Sequence, residues 1–77
     1  MATVERRGMT AASQAAFRVM HAEIQLEIAG GVSRFPDRTA FVPSDRATRE
    51  HISGHHSRGY TVVIVDADEN VRVVPVP

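Results

Sequence analysis

The sequence contains no cysteine. This absence excludes disulfides, thiolate zinc sites, iron–sulfur ligation and cysteine nucleophiles. Secreted domains of this size are usually cross-linked by disulfides, so we expect a cytoplasmic protein. The first ten residues are polar and include Glu5, Arg6 and Arg7, which argues against a signal peptide.

The chain also lacks lysine, tryptophan and any long apolar run. Its longest aliphatic run is Val62 to Val65, whereas a membrane-spanning helix needs about 20 apolar residues, so we expect no membrane partner. Nine arginines balance nine acidic residues, and this zero net charge gives no general attraction for nucleic acid. Arginine in place of lysine suits contacts to carboxylate or phosphate, although a biased composition explains it more simply.

With 77 residues, the chain has room for one domain. We expect residues 1–8 to be flexible and residues 9–77 to form a single α+β domain. A chain this short buries only about 60% of the surface that its unfolded form exposes. Its stability would therefore gain from a partner.

The clearest local pattern is a long helix near the amino terminus. Thr10 is a suitable N-cap, the alanine-rich segment from Ala11 to Ala29 favours a helix, and the Gly30-Gly31 pair supplies its end. A second helix is predicted from Arg46 to about His56, with Ser44 or Asp45 as its N-cap. Because Gly54 weakens a helix, this segment could end at Ser53 instead.

Four other segments are typical of strands. Residues 60–65 are rich in β-branched side chains on both faces, which predicts a central strand. Residues 71–74 return after the polar segment 66–70, so the two strands should form a C-terminal hairpin. Residues 39–42 form another predicted strand, and 32–35 would make a short fourth one. The expected order is α-β-α-β-β, with the long helix on a three- to four-stranded sheet.

The first helix has two apolar faces at 100° per residue. The face with the larger side chains should pack on the sheet, since it carries more buriable area, and its residues are Phe17, Met20, Ile24 and Ile28. The opposite face then remains for a protein partner or a second copy of the chain, and its residues are Ala12, Ala15, Val19, Ala22 and Leu26. The alternative is that the domain covers this second face itself.

A histidine-rich segment is the one unusual cluster. His51 and His55 lie four residues apart, on one face of the predicted helix, and His56 follows directly. Two imidazoles one turn apart can share a metal ion, but Ile52 stands where a metalloprotease helix needs Glu, and the sequence identifies no third ligand. We therefore expect no cofactor, and ordinary surface histidines are the simpler interpretation.

Two further patterns suggest weaker sites. Asp66, Asp68 and Asn70 match the start of a calcium loop, but Val71 follows where that loop needs glycine, so a hairpin turn is favoured. A possible anion-contacting set consists of Arg46, Arg49 and Arg58. Without interleaved aromatic side chains this set does not favour nucleic acid as a partner.

Together these patterns favour a small non-catalytic interaction module: an accessory, inhibitor, antitoxin-like or assembly protein that binds another macromolecule. One alternative is a small oligomeric metal-dependent or acid–base enzyme that uses His51, His55 and His56. A second alternative is a nucleic-acid binder that uses Arg46, Arg49 and Arg58.

Overall fold

A computed structural model describes residues 9–77. Residues 1–8, which the sequence predicts to be flexible, lie outside the described residues. The elements are α1 (Ala11–Ile28), β1 (Thr39–Pro43), a 3-10 turn (Ser44–Arg46), α2 (Arg49–Ser57), β2 (Thr61–Val65) and β3 (Val71–Val74). The predicted α+β class and the order α-β-α-β-β are confirmed.

Helix α1 begins at Ala11 as predicted and ends at Ile28, one residue before the predicted Ala29, which is its C-cap. The Thr10 hydroxyl oxygen accepts a hydrogen bond from the Ser13 amide at 3.0 Å, which satisfies one of the free donors of the first turn. At the other end Gly30 has φ +87°, a left-handed conformation that favours glycine. The Gly31 amide then donates to the Leu26 carbonyl at 2.9 Å, which closes the last turn.

The sheet has three strands in the order β1-β2-β3, so β2 is central as predicted. β1 runs parallel to β2, with Phe41 opposite Val63. β3 runs antiparallel to β2, with Val73 opposite Val63.

Asp66 shapes the connection between β2 and β3, because one of its carboxylate oxygens accepts hydrogen bonds from the amides of Asp68 and Asn70, each at 2.9 Å. The predicted hairpin is confirmed.

The predicted fourth strand at residues 32–35 is wrong, because this segment forms no strand. Its polar groups bond to α1 instead: the Glu23 carboxylate accepts the Ser33 hydroxyl at 2.8 Å and the Arg34 amide at 3.3 Å. Phe35 packs against the core, where its ring meets Phe41 edge to face at 5.4 Å between centroids. The segment is therefore a loop that is held to α1 by the bonds of Ser33 and Arg34 to Glu23.

Helix α2 begins three residues later than predicted, at Arg49. Its N-cap is Thr48, whose hydroxyl oxygen accepts the His51 amide at 3.2 Å, and not Ser44 or Asp45. Those two residues begin the 3-10 turn, and the non-helical backbone of Ala47 (φ −84°, ψ 60°) separates that turn from α2. The helix continues through Gly54 to Ser57 without a break.

The core has two small layers, one on each face of the sheet. Under α1, Ala15, Ala16 and Val19 pack against Val63 and Val65. On the other face Val42, Val62 and Ile64 form the second cluster, which Ile52 of α2 helps to cover. Within residues 9–77 every buried apolar side chain is Ala, Val or Ile.

Candidate binding surface

The predicted orientation of α1 is wrong, because the small-residue face packs on the sheet. Ala12, Ala15 and Val19 are buried in the domain's own core, so they are not available as partner-binding residues. Alanines allow the helix to approach a sheet surface that the branched valines of β2 already fill. The other two residues of that predicted site, Ala22 and Leu26, are exposed.

The larger apolar residues of α1 consequently face outward. The exposed fraction is 57% for Phe17, 42% for Ile24 and 72% for Ile28, while Met20 between them is half-buried. These four residues occupy one flank of the helix, within roughly 80° of each other at 100° per residue. They are the residues that the sequence predicted to pack on the sheet.

This flank lies beside β1. A groove of about 400 Å³ runs between α1 and the start of β1, and Met20, Ile24, Phe35 and Phe41 contribute to its walls. A second groove of about 220 Å³ continues toward the start of α1, where Phe17 lines it. Both grooves share Met20 and Phe41, so they form one continuous apolar surface. We call the surface made by Phe17, Met20, Ile24, Ile28 and Phe41 the α1–β1 flank.

Glu23 fixes the outer wall of the larger groove. Its carboxylate accepts from the Ser33 hydroxyl and pairs with the Arg34 guanidinium, whose Nε lies 3.2 Å away. Only 12% of the Glu23 side chain is exposed. The hydrogen bond from Ser33 is the main cause that lowers the pKa of Glu23, and the bonds and charge of Arg34 lower it further. The wall therefore has a charged anchor that persists at neutral pH.

The free edge of β1 borders the same surface. The Arg38 carbonyl accepts the Thr61 amide of β2 at 2.8 Å, which fixes the direction of the backbone groups in β1. Backbone amide and carbonyl groups point to alternate sides along a strand, so those of Ala40 and Val42 also point toward β2. The backbone groups that point away from β2 are those of Thr39, Phe41 and Pro43. Within residues 9–77 no strand pairs with this edge of β1, which offers two amide donors and three carbonyl acceptors.

The histidine cluster is assembled in part. His51 and His55 face each other across one helical turn, with ring centroids 4.9 Å apart, as the sequence predicts. His56 points elsewhere, and its Nε2 lies 3.0 Å from the Val74 carbonyl of β3. Burial lowers the pKa of His55, with smaller contributions from the charges of His51, Arg58 and His56. Across residues 9–77, no group of three His, Asp or Glu side chains is placed to hold a metal ion.

The predicted anion-contacting arginines do not share a face. Arg46 belongs to the 3-10 turn, Arg49 begins α2 and Arg58 is its C-cap. Arg58 lies nine positions after Arg49, which places the two residues about 13.5 Å apart along the axis and on opposite sides of the helix. The structure therefore brings together only part of the histidine set, and not the arginine set.

Neither helix within residues 9–77 has the length and apolar character that a membrane crossing requires. Comparisons of the chain with protein-family models, curated proteins and solved structures found no match.

Proposed function

We propose that this chain is a non-catalytic interaction module that binds another protein chain through the α1–β1 flank. The accessory, inhibitor, antitoxin-like and assembly roles all share this mode of action. A cysteine-free interaction module also fits a cytoplasmic setting. One observation carries the proposal: Phe17, Ile24 and Ile28 of α1 are exposed, while the buried apolar side chains within residues 9–77 are Ala, Val and Ile.

The distribution of apolar side chains is unusual for a domain that acts alone. Burying an apolar side chain as large as Phe or Ile contributes about 1.5–3 kcal/mol, yet Phe17 and Ile28 remain mainly in contact with water. A contiguous apolar surface of this kind marks an interaction site, and aromatic residues and Met are enriched in such interfaces. Phe17, Met20 and Phe41 supply both residue types on this flank.

The two alternative functions receive no comparable support from the described residues. The enzyme would use His51, His55 and His56, but His56 is engaged with Val74. The nucleic-acid binder would need Arg46, Arg49 and Arg58 on one surface, which the geometry of α2 opposes. Elemental analysis of the purified protein distinguishes the interaction module from the metal-dependent enzyme. The enzyme would contain a stoichiometric transition metal, whereas we expect none in this protein.

A position-specific cross-link tests the proposed function. A photoreactive amino acid is introduced at Ile24 on the α1–β1 flank or at Ala22, which is exposed on the opposite side of α1. In cells of the native host we expect a discrete protein adduct from position 24, none from position 22, and loss of the adduct when Phe17→Glu is added. Equal adducts from both positions, or no adduct from position 24, would contradict the proposal.

A further inference from the structure

We infer that the protein bound by the α1–β1 flank is a second copy of this chain, with β1 of each copy paired antiparallel about a two-fold axis at Phe41. The two three-stranded sheets then form one six-stranded sheet. This inference rests on the proposed function, since it names the partner of the same surface.

The hydrogen-bonding groups at the free edge are compatible with such a pair. With Phe41 opposite Phe41, each residue donates its amide to the carbonyl of the other, as in any hydrogen-bonded antiparallel pair. Thr39 of one copy then lies opposite Pro43 of the other, and the Thr39 amide donates to the Pro43 carbonyl. Proline has no amide hydrogen, so it supplies an acceptor only. The antiparallel pair therefore contains four intermolecular hydrogen bonds, and all five residues of each β1 strand face residues of the other strand.

β1 lacks one of the features that usually prevent edge pairing. Natural edge strands are often protected by charged side chains or proline, and Thr39–Pro43 contains no charged side chain. Its one proline, Pro43, lies at the end of the strand, where the antiparallel pair uses only its carbonyl. The net charge of the chain is zero, so two copies meet without general repulsion. The edge therefore accepts another strand, and the chain itself carries an edge of matching length and hydrogen-bonding pattern.

The apolar side chains extend the same contact. Phe17, Met20 and Ile24 stand beside the free edge of β1, as their shared grooves with Phe41 show. A two-fold axis at Phe41 turns the corresponding residues of the second copy toward them, so the two apolar flanks meet above the joined strands. A standard interface needs about 800 Å² from each partner. That area is about one seventh of the 5470 Å² that the chain exposes. The contact must therefore extend along most of α1, which is about 27 Å long, and not only along β1.

Amide hydrogen exchange on the purified wild-type protein tests both the dimer and its register. The amide of Phe41 faces away from β2, so in a monomer it exchanges freely even though the sheet is folded. In the dimer we expect it to exchange at least tenfold more slowly at about 500 µM than under dilution to monomer. The amides of Ala40 and Val42 bond to β2 and should remain protected at both concentrations. A sedimentation-equilibrium mass that corresponds to two chains should accompany the protection.

Matched variants separate the flank from the fold. Ile24→Glu should give a monomer with an intact circular-dichroism spectrum, whereas Ala22→Glu should leave the dimer unchanged.

Two results would overturn the inference. One is a monomeric wild type at 500 µM. The other is a dimer in which the Phe41 amide exchanges freely, since that dimer would use another surface or register. If the photoreactive group at position 24 still captures a different protein in cells, only the self-pairing fails and the proposed function survives. Absence of any adduct at position 24 defeats both.

Discussion

Arg18 of α1 and Glu69 of the β2–β3 turn form an ion pair, with Nε and Oε2 2.8 Å apart. The contact joins residues 51 positions apart, so it connects the first helix to the C-terminal hairpin. Arg18 lies about 100° around α1 from Phe17 of the α1–β1 flank, and its side chain reaches the hairpin.

We expect this ion pair to contribute little to stability. About half of each side chain is exposed, 52% for Arg18 and 47% for Glu69, so water and salt screen the attraction. Arg18→Ala should lower the free energy of unfolding by less than about 1 kcal/mol. Urea denaturation measures the change, and a loss well above that value would show that the pair positions the hairpin.

Val63 is the residue whose replacement by a charge should be most damaging. It is fully buried at the centre of β2 and packs under α1. Val63→Asp places an unpaired carboxylate in the core, and we expect a loss above about 4 kcal/mol, enough to unfold a domain of this size. Thermal melting measures it. Val73→Asp is the matched control, because Val73 lies opposite Val63 on β3 and is half-exposed; a near-normal melt for Val63→Asp would contradict the assigned core.

Glu23 should control the order of the loop at residues 29–38. Removing its carboxylate frees the Ser33 hydroxyl and the Arg34 amide, so Glu23→Ala should speed amide exchange at Arg34 and lower the melting temperature. Glu27→Ala, one turn further along α1, is the matched control and should change neither. If both variants behave alike, the loop is held by Phe35 packing and not by Glu23.

The stability of the fold should also depend on Glu23 in acid. Its pKa in the folded protein lies below the ordinary value of 4.5. The carboxylate therefore contributes stability that is fully present above pH 4.5 and is lost as the pH falls through the lowered folded pKa. Wild type should lose stability more steeply than Glu23→Gln over that acid range, as measured by urea midpoints at each pH.

His55 should give a separate pH dependence at mildly acid pH. Its partial burial beside His51 and Arg58 lowers its pKa below the ordinary value of 6.5 in the folded state. The unfolded chain then binds the proton more readily, so stability is full above pH 6.5 and falls as the pH drops through the folded pKa. His55→Gln should flatten this part of the profile. A profile that is the same for wild type and His55→Gln would contradict the assignment.

Signals carried by backbone chemistry predicted most of the fold. Thr10 and Gly30 determine the ends of α1 through a hydroxyl acceptor and a left-handed backbone, and both features are visible in the sequence. The branched residues of β2 and the Asp66 turn likewise predict the hairpin. These features depend on neighbours within four residues, which is why sequence reasoning recovers them.

Side-chain packing and long-range hydrogen bonds determine two features that the sequence pattern does not predict, namely the buried face of α1 and the conformation of residues 32–35. Apolar area alone favours burying the face of Phe17 and Ile24, but the space above β2 is already filled by Val63 and Val65, and only the alanine-rich face fits against it. Residues 32–35 have a strand-like composition, yet the Ser33 hydroxyl and the Arg34 amide bond to Glu23 of α1 and not to a neighbouring strand. The sequence therefore predicts the wrong buried face of α1, because that face depends on volumes contributed by separate elements.

From the central position of β2 in the sheet we also expect a particular order of folding. This strand meets β3 across a five-residue turn, a contact that forms in about 1–10 µs in isolated hairpins. It meets β1 only across a separation of 22 residues, and such non-local parallel pairing is slower to form. The hairpin should accordingly acquire structure first and serve as the template on which β1 and α1 then close. Both layers of the core contain residues of β2, so during synthesis neither layer can form until β2 has left the ribosome. Until then, both apolar faces of α1 are exposed to water in the nascent chain.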